Sequence, residues 1–210
     1  MVILKENNDS LLSTGDAMQV QKDYIRTNIL ESALEEFSSK GFRIATMSSI
    51  AERCNISKSN LYRYFSSKDD ICHELLKLPS VEIRNILSVL TGTKLLVYSN
   101  DEIALKMTEA LFPVMLKFRK EILIILSPDA PDEGVKLKEM VEQELMKNFN
   151  AFDSQRTPEG FSNSLVKMLM AGIESILMNH LSDENMKEQL NSLLRYHVRG
   201  VLAFSAIRIE

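Results

Sequence analysis

Between Arg53 and Lys68 the chain carries four basic residues, Arg53, Lys58, Arg63 and Lys68, and no Asp or Glu, while Glu52, Asp69 and Asp70 lie just outside that window. Interleaved with the cations are Ser57, Ser59, Asn60, Tyr62 and Tyr64. Ammonium and guanidinium groups neutralise phosphate, and hydroxyls, amides and phenols donate to phosphate oxygens or to base edges. A strip of this kind suits double-stranded nucleic acid. The net charge of -4 argues against such a partner at first sight. The distribution answers it, because a local basic strip sits on an otherwise acidic chain.

The elements that would hold this strip follow from the flanking residues. Thr46 offers an N-cap oxygen to a short helix with apolar positions Met47, Ile50, Ala51 and Cys54. Asn55 suits a tight turn with positive φ. Ser57 caps the next helix, with Ile56 and Leu61 spaced as a hydrophobic staple. This predicts a helix-turn-helix over Thr46 to Phe65, whose second helix turns Leu61 and Phe65 inward and leaves Lys58, Ser59, Asn60, Arg63 and Tyr62 facing outward.

Upstream, Ile25, Ile29, Ala33 and Phe37 recur every four residues and predict a helix from Tyr24 to the basic stop at Lys40-Gly41, with Asp16 and Gln19 able to cap an earlier start. Downstream, Ser67 and Asp70 open a helix that Pro79 is expected to kink or interrupt. Ser99 and Glu102 form a capping box ahead of the stripe Met107, Leu111, Met115 and Phe118, and Pro128 and Pro131 bracket a loop. Three more helices are expected near 132–153, 158–181, where Thr157-Pro158 supplies the cap, and 184–207, capped by Ser182-Asp183. The fold class is all-α. The expected divisions are a flexible arm at 1–20, a three-helix head at 21–78, and a helical-bundle body at 79–210.

The string Gly41-Phe42, Thr46, Ile50-Ala51, Ile56 through Phe65 and Lys68 resembles the DNA-binding signature of the tetracycline-repressor (TetR) family. The resemblance spans roughly residues 22 to 77, with Leu61-Tyr62-x-Tyr64-Phe65-x-x-Lys68 its most specific part. It departs at Asn55, where the family usually has glycine, and at Pro79, which lies in the helix linking head to body. The resemblance implies that Thr46 and Ser57 hold phosphate oxygens and that Tyr64 and Lys68 reach the backbone on the flank. Lys58 and Asn60 become the base-reading candidates, with Ser59 and Tyr62 next. Tyr62 and Tyr64 read also as packing aromatics.

The resemblance further implies a homodimer that sets two recognition helices into successive major grooves of an imperfect palindrome. Its expected interface is Leu165, Leu169, Ile173, Leu177, Leu190, Leu194, Val198 and Val201. Met107, Leu111, Phe112, Met115, Phe118, Phe149, Phe161 and Met168 are candidates to line a pocket for a small apolar or amphipathic effector, against the plainer reading of core. The function expected is a transcription regulator, a repressor released by that effector. The alternative is a DNA-localised protein-interaction or architectural factor without one.

Other chemistry finds no support. His73, His180 and His197 do not join Cys54 or Cys72 in a metal-ligand spacing, so no metal or cofactor is expected. No nucleophile-base-acid pattern or phosphate-cradling glycine loop occurs, so no catalytic residue is assigned and no enzyme is expected. Two unpaired cysteines, no signal-peptide core and no long apolar run point to a soluble cytoplasmic chain without a membrane partner.

Overall fold

The structure, a computed structural model, describes residues 14–90, 98–152, 160–179 and 181–206. Among these residues there is no strand, and the helices in chain order are α1 (Thr14–Lys40), α2 (Met47–Arg53), α3 (Lys58–Leu61), α4 (Lys68–Leu90), α5 (Asn100–Lys117), α6 (Arg119–Leu126), α7 (Asp132–Phe152), α8 (Phe161–Met178) and α9 (Asp183–Ala206). No described helix is long and apolar enough to cross a membrane.

Two apolar cores organise the chain. The first gathers Ile29, Ala33 and Phe37 of α1, Ile50 and Ala51 of α2, Leu61, Phe65, and Ile71, Cys72 and Leu76 of α4. It also takes in Ile124 and Ile125 of α6 and Leu137 of α7, so the body enters the core of the head. The second core packs Met115, Phe118, Ile122 and Leu126 against Leu169 and Leu177 of α8 and Met186, Leu190 and Leu194 of α9.

Several expectations change here. α1 begins at Thr14, inside the stretch read as a flexible arm, although Met18, Val20 and Tyr24 are exposed. Extending a nucleated helix costs little and needs no apolar face, and the Gln19 amide supports that turn by donating to Asp23 at 2.8 Å. Residues 1–13 of the expected arm lie outside the described residues, as do the Thr157-Pro158 cap pair and His180.

α4 does not stop at Pro79, which lies buried in its interior. A proline removes one backbone donor from the ladder. Here Leu76 in the head core, and Ile83, Ile86 and Leu87 packed toward the body, hold the helix together across it. The division placed at 78/79 therefore falls within a continuous helix.

The stripe ending at Phe118 belongs to two helices. Phe118 leaves helical geometry (φ -116°, ψ 32°), and α6 starts directly after it. Arg119 turns the chain by donating to the carbonyls of Leu177 (2.8 Å) and Asn179 (2.6 Å), which stabilises the acceptor-rich end of α8.

Of the residues expected at a dimer interface, Leu169, Leu177, Leu190 and Leu194 are buried inside the single chain, the last three at 0% exposure. Ile173 packs on the same core. α8 and α9 each carry more than one apolar stripe, and the broader stripe fills the chain's own body. Leu165, Val198 and Val201 are only partly buried.

Candidate nucleic-acid interface and body cavity

The caps of the helix-turn-helix form as their residues dictate. The Ser49 amide donates to the Thr46 hydroxyl at 3.1 Å and the Thr46 amide to the Ser49 hydroxyl at 3.0 Å, a reciprocal capping box. The Thr46 hydroxyl also donates to Ser49 Oγ at 3.1 Å, so this threonine serves the fold of α2. Asn55 takes φ 57°, the left-handed turn that redirects the chain into α3. The Ser57 hydroxyl accepts from the Asn60 amide at 3.2 Å. Gly41, at φ 84°, ends α1 with its amide on the Phe37 carbonyl, where a side chain would be strained.

The two faces of α3 separate cleanly. Leu61 is fully buried and Phe65 nearly so, whereas Lys58, Ser59, Tyr62 and Arg63 are exposed and Asn60 partly exposed. The Lys58 ammonium lies 5.9 Å from the Tyr62 ring centre, so the two share one surface. Tyr64 packs partly against the head core, which makes it at least in part a structural aromatic.

The cationic strip is thinner than the sequence suggests, because two of its four members are committed internally. Arg53 Nε donates to Glu36 Oε2 at 3.0 Å, and Lys40 Nζ to Glu36 Oε1 at 2.7 Å. Lys68 Nζ turns back to the loop before α2, toward the carbonyls of Phe42 (2.7 Å), Arg43 (3.2 Å) and Ala45 (3.2 Å). The reading from sequence missed Glu36 and Arg43. Glu36 is hidden in an otherwise ordinary helical pattern, and its one signal is Lys40 four residues on. Arg43, an exposed cation paired with Asp129 at 3.4 Å, lies upstream of the basic strip between Arg53 and Lys68.

Glu36 is 1% exposed. Its hydrogen bond from Lys40, and lesser ones from Ser49 and Arg53, hold its carboxyl below the usual range against the opposing effect of burial. A depressed pKa in the folded state stabilises the fold above the unfolded value of 4.5, and this contribution fades as pH falls through the folded value. Replacing Glu36 with Gln is expected to cost about 1–3 kcal/mol at neutral pH, since its cationic partners are half solvated and recover hydration. Thermal melts at descending pH check this. The gap between Glu36→Gln and the parent chain should narrow below pH 4.5, and a constant gap would remove the carboxylate from the account.

In the body, α4 to α9 surround a cavity of about 100 Å³. Met107, Leu111 and Met115, expected there, line it together with Ile86, Ile125 and Ile173. The lining is apolar apart from Lys138, whose ammonium donates to the Leu126 carbonyl at 3.5 Å. The other expected lining residues lie elsewhere. Phe112 packs on the body core and Phe118 is buried within it, away from the cavity wall. Phe161 and Met168 lie instead on an open groove of about 700 Å³ along α8 and α9, with Leu165, Tyr196 and Val201. The side chain of Phe149 lies outside the described residues.

Cys54 and Cys72 are both buried, and burial raises both thiols, that of Cys72 to about 12. Thiols so protonated are poor nucleophiles and packing elements. No group of three or more potential metal ligands occurs among the described residues.

The chain has recognisable relatives. Residues 29–75 match the family described as bacterial regulatory proteins, tetR family. Over 61 residues the chain is 39% identical to the HTH-type transcriptional regulator UidR of Escherichia coli strain K12, a match covering 29% of this chain and only 31%, about a third, of that relative's length. Over 151 residues, 69% of this chain and 80% of the other, it is 24% identical to the biofilm operon icaADBC HTH-type negative transcriptional regulator IcaR of Staphylococcus aureus strain Newman. The fold is shared with a TetR-like transcriptional regulator from Rhodococcus sp. RHA1, at TM-score 0.58 and 19% identity over 84% of this chain and 96% of that one.

Proposed function

We propose that this chain, whose residues 29–75 match the tetR family of bacterial regulatory proteins, is a transcription repressor that binds a palindromic operator as a homodimer and leaves it when a compact apolar molecule occupies the body. The observation carrying the DNA-binding part is the outward face of α3 and the turn after it, where Lys58, Ser59, Asn60, Tyr62 and Arg63 stand opposite the buried Leu61 and Phe65. Lys58 and Asn60 read base edges, while Arg63, Ser57 and Tyr64 serve the phosphates. Repression is supported by the likeness to a regulator named as negative. The chain works in the cytoplasm, where its operator is.

Two heads are needed to use a palindrome, and the outer groove of α8 and α9 supports that pairing. Met168 (56% exposed) and Tyr196 (70%) are large apolar or aromatic side chains left open there, beside Leu165 and Val201. The same face supports a second reading, recruitment of another protein by a DNA-localised factor. Sedimentation of the purified chain alone decides between them, because self-association at micromolar concentration favours the dimer.

The cavity supports effector binding and restricts it. At about 100 Å³ it falls below the roughly 300–1,000 Å³ usual for ligand pockets, and its walls are apolar apart from Lys138, whose ammonium is turned to the Leu126 carbonyl. The three methionines Met107, Met115 and Met170 give those walls the freedom to adjust.

DNA binding is tested by selecting duplexes from a random pool with the full chain and then measuring variants on the selected sequence. Asn60→Ala is expected to relax the preference at one base position and cost about 1–3 kcal/mol on the cognate duplex, with little effect on random DNA. Equal losses on cognate and random DNA for Asn60→Ala and Lys58→Ala would remove both from base reading.

A further inference from the structure

We propose that Lys68 is a positioning residue rather than a phosphate contact, a staple joining the loop that enters the helix-turn-helix to the helix that leaves it. The proposal rests on the DNA-binding reading for its consequence and on the geometry of the DNA-free chain for its substance.

Lys68 is the first residue of α4, where the positive end of the helix disfavours a cation. The local helix therefore gives no reason for a lysine there. Its ammonium has three N–H donors, and three carbonyls stand within reach: Phe42 at 2.7 Å, Arg43 at 3.2 Å and Ala45 at 3.2 Å. The charge also lies 4.5 Å from the centre of the Phe42 ring, which itself packs on Phe37 of α1 with ring centres 5.2 Å apart. Thus the three donors are matched one to one, and a phosphate could claim the ammonium only by stripping carbonyls of their donor.

Position gives this staple its effect. Ala45 is buried and directly precedes Thr46, the cap of α2. Lys68 opens α4 three residues beyond the Tyr62–Tyr64 turn that closes α3. Tying 42–45 to 68 closes the helix-turn-helix into a loop at its base and limits how far the α2–α3 pair can tilt on α1 and α4. On the far side of the same loop, Arg43 meets Asp129 of the turn between α6 and α7 at 3.4 Å. The entry loop is therefore held from the head and from the body at once.

The test uses the full chain, the duplex selected by the parent chain, and the variants Lys68→Met and Lys68→Arg. Arginine keeps the charge, but its planar fork cannot direct donors to three carbonyls around one point. The staple predicts that both variants bind the duplex several-fold more weakly, with the slope of log affinity against log salt unchanged. It also predicts that amide exchange from Thr46 to Ile50 quickens in both variants without DNA. A phosphate contact predicts a slope shallower by about 0.9 per subunit for Lys68→Met, and near-parental binding for Lys68→Arg. That pattern, or exchange rates equal to those of the parent chain, overturns the proposal. Should Lys68→Met fail to fold, Lys68→Arg decides alone. If the parent chain selects no duplex, the DNA-binding reading fails, and the exchange measurement still decides the staple.

Discussion

Placing aspartate at Leu194 is expected to unfold the body of the chain, whereas aspartate at Met168 is expected to separate two folded subunits. Leu194 is at 0% exposure among Met115, Leu177 and Leu190, and it reaches the wall of the body cavity. A carboxylate there has no partner and no water. A substitution that buries an unpaired charge ranks with the most damaging known, above about 4–5 kcal/mol, against a total stability of about 5–15 kcal/mol for a domain. Met168 is 56% exposed on the outer groove, and a charge there costs the monomer almost nothing. Circular dichroism and sedimentation separate the two outcomes. Lost helicity for Leu194→Asp, and retained helicity with halved mass for Met168→Asp, is the expected pair. A Met168→Asp chain that sediments as the parent dimer would move the interface off this groove, and a Leu194→Asp chain that melts unchanged would contradict its burial.

The contrast between these two residues shows where the sequence was legible. Caps and turns were readable because their partners lie three or four residues away. Thr46 with Ser49, Ser57 with Asn60, Ser99 with Glu102 and the left-handed Asn55 all follow from local chemistry. The two faces of α3 were equally readable, since one helical period fixes which residues oppose Leu61. On α8 and α9 the period finds the apolar stripes without saying which stripe meets the chain's own body and which meets a partner. Leu169, Leu177, Leu190 and Leu194 were misassigned for that reason.

The same limit applies to charge. Lys68 and Arg53 looked like members of one basic strip because their partners, the 42–45 carbonyls and Glu36, lie 17 to 26 residues away in sequence. Pro79 was read as a boundary by its chemistry, yet a helix anchored in apolar surroundings on both sides of it tolerates one missing bond. Phe118, which breaks α5 from α6, has no glycine or proline to announce it. The break depends on Arg119 finding the end of α8, a contact with residues 58 and 60 positions on.

If the head and body are coupled through α6, Ile125→Ala is expected to weaken both at once. Ile125 is 3% exposed, belongs to the core shared with α1, α2 and α4, and also lines the body cavity beside Ile122 and Leu126. Cutting a buried isoleucine to alanine costs about 2–5 kcal/mol, the larger values where the walls cannot close in. α6 is pinned on both sides here, by Lys120 to Glu35 of α1 and by Arg119 to the end of α8, so little collapse is expected. Amide exchange should then quicken in parallel at Ile50 and Leu61 of the head and at Leu177 and Leu190 of the body. The hole left behind joins an apolar cavity, which makes a small hydrocarbon such as toluene a stabiliser of the variant, and a stronger one than of the parent chain. Quickened exchange confined to the body would show that the two cores unfold separately, leaving α6 unable to carry a signal. Parallel exchange without any response to toluene would keep the coupling and remove the cavity as the place where an effector acts.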